Sequence, residues 1–395
     1  MNNRFFIIAL FFLVTVAYTQ DEVDFKPSFL YDDGLGVMSP DTSYLINFRF
    51  RMQNRLGMYT KSAEDLRPDE FEARVRRLRL RMDGFLVDQR FSYYIQLSFS
   101  RGDQDWDNSR VPNVVRDAAL FYFFQDNLYL CFGQTKLPGN RQRVISSGMQ
   151  QFAERSVVNA TMNIDRDFGL RLYHELNHKN LTFRYQAAIT SGEGRNALNS
   201  DNGLSYTGRV EFLPFGKFKG NGDYFEGDLL REATPKLSLG SSISYNQKAI
   251  RTGGQIGALT ETPSDIRTFI TDMMFKYSGF SLYGEYMYRN STVKEVVLQN
   301  EDSFGYIYNG FGTNVQASYL LKNNLEFAIR YALLNPSEAI REWNEGYNEI
   351  VLGVTKYFNT HRVKAQLNLM YLSEHYLFNQ GKSRFGTLFQ IEVGI

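Results

Sequence analysis

The residues of this chain best suited to chemistry are arginines set at strand spacing. Arg74-Val-Arg-Arg-Leu-Arg-Leu-Arg-Met82 places Arg77, Arg79 and Arg81 on one face of an extended segment and Leu78, Leu80 and Met82 on the other. Successive guanidiniums stand roughly 7 Å apart, so they form a ladder whose members repel one another unless anions or carboxylates lie between them. Tyr44-Leu-Ile-Asn-Phe-Arg-Phe-Arg-Met-Gln53 repeats the plan, with Arg49 and Arg51 opposite Ile46, Phe48 and Phe50. On a lipid face each arginine would cost about 2 to 4 kcal/mol at mid-membrane, so these faces belong to water or to ion pairs. The chemistry on offer is electrostatic, a row of fixed cations that attracts and passes small anions. The alternative is structural: the same arginines pair with Asp83, Glu211, Glu326 and loop carboxylates and stiffen a wall.

Other motifs carry less. His174-Glu175-Leu-Asn-His178 fits the H-E-x-x-H zinc pattern, which needs a helix to bring both imidazoles to one face. Here it lies between Phe168-Gly-Leu-Arg-Leu-Tyr173 and Leu181-Thr-Phe-Arg-Tyr185, so a hairpin turn is expected, and no metal site. His375, beside Ser373 and Glu374, lacks the spacing of a hydrolase centre. Ser191-Gly-Glu-Gly194 and Gly220-Asn-Gly222 precede no helical pattern and read as turns, not phosphate cradles. Lone Cys131 allows no intrachain disulfide and reads as a packed or lipid-facing thiol. Neither an enzyme nor a cofactor is expected.

The elements that must position the arginines are strands. Period-two alternation with aromatic and β-branched enrichment marks about sixteen: 44–53, 74–86, 90–100, 114–124, 127–134, 167–174, 180–190, 203–213, 235–247, 266–277, 279–289, 309–320, 323–333, 348–357, 361–372 and 384–395. A two-faced strand recurring along the whole chain is what the wall of a water-filled transmembrane β-barrel requires. Long links (54–73, 101–113, 135–166, 191–202, 248–265, 290–308, 334–347, 373–383) alternate with short ones, as outer loops alternate with periplasmic turns. The link 214–235 breaks that rule, being long where a short turn is due. It reads as a plug-like or docking segment, or as a missed hairpin. Tyr286, Tyr288, Tyr319, Tyr331 and Tyr371 are mostly in outward phase, which suits interfacial girdles better than a sugar track.

Phase places Arg171, Arg184 and Arg209 inside as well, beside the first two arginine strands. Strand 114–124 is ambiguous, since either Arg116 or Asp117 could face inward. The C-terminal inner face is milder, with Glu285, Arg289, Gln316, Glu326, Arg330 and Lys364, so the positive field is one-sided. The longest outer link, 135–166, holds Lys136, Arg141, Arg143, Arg155 and Arg166 against Glu154 and Asp165. Folded inward it would be a constriction whose cations set ion selectivity; left outside it would be a solvated basic surface.

Composition narrows the class. The net charge of +1 over 395 residues argues against a nucleic-acid partner. Beyond the N-terminus no apolar run reaches the roughly 18 to 20 residues of a membrane helix, so any spanning structure is a closed barrel. Met1-Asn-Asn-Arg4 followed by Phe5 to Ala17 has the plan of a signal peptide, expected over residues 1–19, with 20–43 as a periplasmic lead segment and 44–395 as one barrel domain. The C-terminal run Phe385-x-Thr-x-Phe389-x-Ile391-x-Val393-x-Ile395 resembles the signal read by barrel-assembly machinery, and outer-membrane lipid would surround the wall.

Several of these segments resemble the phosphate-selective porin O and P family: Phe132-Gly-Gln-Thr-Lys136-x-Pro138, Glu154-Arg155-Ser156 and Arg166-x-x-Gly169, preceded by Arg77-x-Arg-Leu-Arg81-x-Asp-Gly84 and Arg116-Asp117-Ala118. Gly222-Asp-Tyr-Phe-Glu-Gly-Asp228 and Pro235-Lys-Leu-Ser-Leu-Gly240 resemble the version found in Bacteroidota, which also has the long turn. The resemblance implies a sixteen-stranded, commonly trimeric outer-membrane channel in which an arginine ladder leads phosphate to a constriction. After Pro138 this chain reads Gly139-Asn-Arg141 where the family continues with an aromatic and an acidic residue, and the family's lysine cluster is missing. The resemblance therefore carries a channel further than it carries phosphate. The expectation is an outer-membrane porin for small hydrophilic solutes, biased toward anions and including phosphate or polyphosphate. The competing reading is a structural or secretion-docking barrel without an open channel.

Overall fold

A computed structural model describes residues 28–30, 34–104, 113–197, 203–298, 304–374 and 382–395. The expected signal peptide and His375 lie outside the described residues. The strands are β1 (Ser28–Leu30), β2 (Leu35–Met38), β3 (Tyr44–Thr60), β4 (Pro68–Leu86), β5 (Asp88–Ser98), β6 (Val115–Gln125), β7 (Leu128–Lys136), β8 (Arg166–His178), β9 (Leu181–Thr190), β10 (Ser205–Leu213), β11 (Lys236–Arg251), β12 (Leu259–Tyr277), β13 (Phe280–Ser291), β14 (Glu295–Val297), β15 (Phe304–Tyr306), β16 (Gly310–Leu320), β17 (Leu325–Pro336), β18 (Tyr347–Asn359), β19 (Val363–Glu374) and β20 (Ser383–Gly394).

Sixteen of them, β3–β13 and β16–β20, pair antiparallel in chain order, and β20 closes on β3 from Gly386 opposite Tyr59 to Gly394 opposite Arg51. Closure leaves no sheet edge in lipid. The outward parity is apolar and exposed, as at Leu170, Leu172, Val210, Ile329 and Phe389. Several strands outrun their apolar alternation: β3 continues to Thr60 and β4 starts at Pro68, because a hydrogen-bond ladder can rise into water where hydrophobic patterning stops. The lead segment supplies β2, which pairs with the periplasmic end of β3 below the place where β20 ends. The outer link 290–308 holds a further small ribbon, β14 with β15.

The lumen is not an empty cylinder. The link between β7 and β8 folds inward, carrying the short helices α1 (Arg141–Val144) and α2 (Val157–Met162). Ser156 caps α2 by accepting from Asn159 N at 3.2 Å. Leu137, Val158, Met162 and Ile164 pack on inward-facing Ile270, Met287, Ala332 and Leu334. Phe152 packs in the same way on Val351, Met370 and Leu388. The C-terminal half of the wall thus shows the loop an apolar inner face and holds it by burial.

The long turn 214–235 also folds into the barrel, from the periplasmic end. Glu226 joins it to the inward loop: its backbone N donates to Met149 O (2.8 Å), and its carboxylate accepts from Gln151 N (3.0 Å) and Gln142 Nε2 (3.4 Å). The Asp228 carboxylate accepts from Glu232 N and Gly279 N, fixing the turn to the wall. No hairpin was missed here. The two segments pack chiefly on β10–β19, and the cavities that remain are lined mainly by β3–β9, with β20 and the turn Thr360 to Arg362 closing one of them.

Candidate functional site

The inner wall of β3 and β4 presents Arg49, Arg51, Arg77, Arg79 and Arg81, as parity requires. The structure adds a residue that parity forbids. A β-bulge pairs Gln53 with Arg77 but Asn54 with Val75, so Arg76 has no partner on β3 and turns inward beside Arg77. A second bulge between β5 and β6 pairs Gln96 with Asp117 but Leu97 with Val115. It resolves the ambiguity of this strand in an unforeseen way, because Arg116 and Asp117 are both buried inside. Each bulge adds one arginine to the same stretch of wall.

These side chains line a cavity of about 460 Å³ between the wall and the inward loop. Its cations are Arg76, Arg77, Arg79, Arg81, Arg116, Lys136, Arg143, Arg155, Arg166 and Arg195, and its acids are Asp103 and Asp165. Ten positive groups therefore face two negative ones. Asp103, on an outer loop, takes Arg79 (Nε at 2.9 Å) and Arg116 (3.4 Å). Asp165 takes Arg143 (Nε at 2.8 Å) and Arg166 (3.2 Å), and Arg166 also reaches Asp117 at 2.9 Å. Just behind, Glu154 receives Arg55 (2.7 Å), Arg77 (3.2 Å) and Arg76. Burial alone would raise the Glu154 pKa, but the guanidiniums of Arg77, Arg76 and Arg55 overcome it and hold the carboxyl well below the usual range.

Two further spaces lie on its periplasmic side and share lining residues with it. One, of about 360 Å³, is lined by Arg49, Arg51, Arg79 and Arg81 and by the turn Thr360 to Arg362. The other, of about 520 Å³, is lined by Lys136, Arg184, Lys217, Tyr129, Tyr173 and Tyr224. Arg184 borders it while pairing with Glu175 (2.9 Å) and Glu211 (3.2 Å). The 174–178 pentapeptide is not the expected hairpin turn but the extended end of β8, its ladder with β9 running on to His178 opposite Leu181, and Glu175 pairs with Arg184 and Lys217.

Three of the arginines expected at the channel line none of these spaces. Arg141 is buried on the far side, where it meets Asp272 (2.6 Å), Glu211 (3.2 Å) and Asp223 (3.5 Å) and pins the loop to the wall. Arg209 is equally enclosed, with Asp272 at 2.7 Å and Glu211 at 2.8 Å. Arg171 faces inward but donates to Gly133 O and Thr135 O, both at 2.9 Å, and to Asp167 O. Parity cannot tell an inner face that meets water from one that meets a folded loop. The milder cations opposite act as loop clamps: Lys364 donates to Gln150 O (2.6 Å), Arg330 to Glu154 O (2.8 Å) and Arg289 to Met162 O (2.8 Å).

Of the residues missed, Arg76 had a signal only in the Arg-Arg pair that interrupts the alternation, as the Arg116-Asp117 pair does in the ambiguous strand. Arg195 and Asp103, on outer loops, had none. Gly148 lies directly on Arg51 and Glu392, where a Cβ would oblige the ends of those two side chains to shift.

A closed sixteen-stranded barrel with an apolar outer band, short periplasmic turns and a loop folded into a charged lumen is an outer-membrane porin. The chain belongs to the phosphate-selective porin O and P family, whose model matches residues 46–379. Its fold is similar to that of an anion-selective porin from Comamonas acidovorans, with a TM-score of 0.55 and 13% identity over 89% of this chain and 100% of that one. It is similar also to the outer membrane channel DcaP of Acinetobacter baumannii, with a TM-score of 0.52 and 12% identity over 91% and 100% of the two chains. No curated protein matches it by sequence.

Proposed function

We propose that this porin passes small hydrophilic anions, phosphate among them, by passive diffusion along the β3–β9 side of its lumen. The observation that carries the reading is the excess of ten cations over two carboxylates around the 460 Å³ cavity. No bond is made or broken. Fixed guanidiniums raise the local anion concentration, and several weak sites in series let an ion move on without being trapped. Arg166, Arg116 and Arg79 stand at the cavity wall, and Arg81 and Arg51 continue the positive path toward the periplasm. The pairings with Asp103, Asp165 and Glu154 serve the structural reading too, since they fix the guanidiniums in place while leaving the excess.

The test is a planar bilayer with a potassium chloride gradient. The reversal potential is expected to have the anion-selective sign, with phosphate carrying current when it replaces chloride; the cation-selective sign would end this reading. Replacing Arg77, Arg79 and Arg81 by Gln should weaken the preference. A docking barrel without conductance is the competing reading, favoured by the filled half of the lumen, and a bilayer silent at every voltage would support it. Family resemblance also supports a homotrimer, testable by the mass of the detergent-solubilised protein.

A further inference from the structure

The periplasmic cavity of about 360 Å³ has two unlike banks. One is cationic, formed by Arg51, Arg79 and Arg81. Arg51 Nη2 and Arg79 Nη1 both donate to Ser147 Oγ, at 2.9 and 3.0 Å, which fixes their heads side by side. Arg51 Nε makes no hydrogen bond and stands 3.7 Å from Glu392, the single acidic side chain of the lining. That acid is shared with Gln53 at 2.8 Å and Lys364 at 3.5 Å. Asp103 pairs with Arg79 and Asp83 with Arg81 at 2.7 Å, so the five arginines of the lining face three acidic side chains and the bank stays positive.

The other bank is apolar. Met149 comes from the inward loop, and Phe225, Leu229 and Leu230 come from the turn 214–235. Met149 is 42% and Leu230 43% exposed, although they border this cavity, whereas most exposed large apolar side chains lie on the outward parity of the barrel strands. A hydrated inorganic ion gains nothing from such a surface. Several apolar groups gathered opposite a cationic row mark a site for something that also has two faces.

We propose that this cavity binds amphiphilic organic anions, a carboxylate head on the Arg51, Arg79 and Arg81 bank and a short apolar or aromatic body against Met149, Phe225 and Leu230. The assignment rests on the anion reading above and narrows it to a ligand class. Both Met149 and the turn are held by Glu226, so the apolar bank is built by the joining of loop and turn.

The test uses the full-length protein in a planar bilayer, with chloride as the carrier and either benzoate or acetate added as a blocker. Benzoate should block at about tenfold lower concentration than acetate, the factor expected when roughly 60 Å² of apolar surface is covered. Met149→Ser and Leu230→Ser, made separately because each alters an exposed side chain, should each bring the ratio toward one. Equal block by the two acids in the native channel overturns the proposal, as does a ratio that neither substitution moves. The same recording separates the two levels: a cation-selective reversal potential removes the anion reading itself, while anion selectivity with equal block removes only this site.

Discussion

Arg76 and Arg77 are neighbours in one strand, yet both guanidiniums reach the carboxylate of Glu154, Arg76 at Oε1 and Arg77 at Oε2. In a regular strand consecutive side chains point to opposite faces. The bulge removes that rule at one position, and the bulge at Arg116 removes it again two strands along. Both sit where the inward loop approaches the wall, so local irregularity concentrates charge around the 460 Å³ cavity.

Arg76→Gln and Arg116→Gln should therefore each lower the anion-to-cation permeability ratio, by about two- to fivefold for one charge removed from a partly screened site. Arg171→Gln is the contrast. Its guanidinium is bonded to strand carbonyls and touches none of the three spaces, so the ratio should stay as it is while stability falls by about 1 to 3 kcal/mol. Reversal potentials of the three variants check this, and equal shifts in all three would mean that selectivity is not local to the cavity.

Parity made the strands and the Arg49 to Arg81 ladder legible, because one buried face and one lipid face leave no freedom of register. It failed at Arg209, where the inner face meets folded protein rather than water. A sign of that lay in β12 and β13, where both parities carry apolar residues: Phe269 with Ile270, Met273 with Met274, Tyr286 with Met287. A wall apolar on both faces must be covered on both. The bulges left only a stutter in the alternation, and the direction taken by turn 214–235 depends on long-range pairs such as Lys276 with the carbonyl of Phe225 (2.8 Å) that spacing does not encode.

Removing Arg141 should loosen the loop from the wall. Its charge answers Asp272, Glu211 and Asp223, and losing one partner of a buried ionic cluster costs about 3 to 5 kcal/mol. Arg141→Gln should unfold at lower urea concentration than the native barrel and give noisier, larger single-channel currents. An unchanged midpoint with quiet currents would show that the apolar contacts of Phe152 and Met162 suffice alone.

Glu226→Ala tests the joint between loop and turn. The carboxylate contacts to Gln151 and Gln142 disappear, while the backbone bond to Met149 remains. The turn should then move independently, and conductance should switch between two levels. A single level equal to that of the native channel would assign the joint to the backbone bond.

Acid should leave the loop attachments made by Glu154, Asp165 and Asp103 intact over the ordinary range. Glu154, Asp165 and Asp103 all lie outside the membrane-spanning strands and all tie the loops to arginines. For each, burial would raise the pKa, but neighbouring guanidiniums outweigh it: Arg77, Arg76 and Arg55 at Glu154, Arg143 and Arg166 at Asp165, Arg79 and Arg116 at Asp103. Carboxyls depressed on folding contribute stability that is fully present above the unfolded value of about 4 and is lost only as pH falls through the lower folded values. These three attachments should thus hold from pH 8 to pH 5 and give way only in strong acid. Replacing Glu154, Asp165 or Asp103 by its amide should therefore leave any change in single-channel conductance between pH 7 and pH 5 as it is in the native channel, and a change that one of these substitutions abolishes would contradict this.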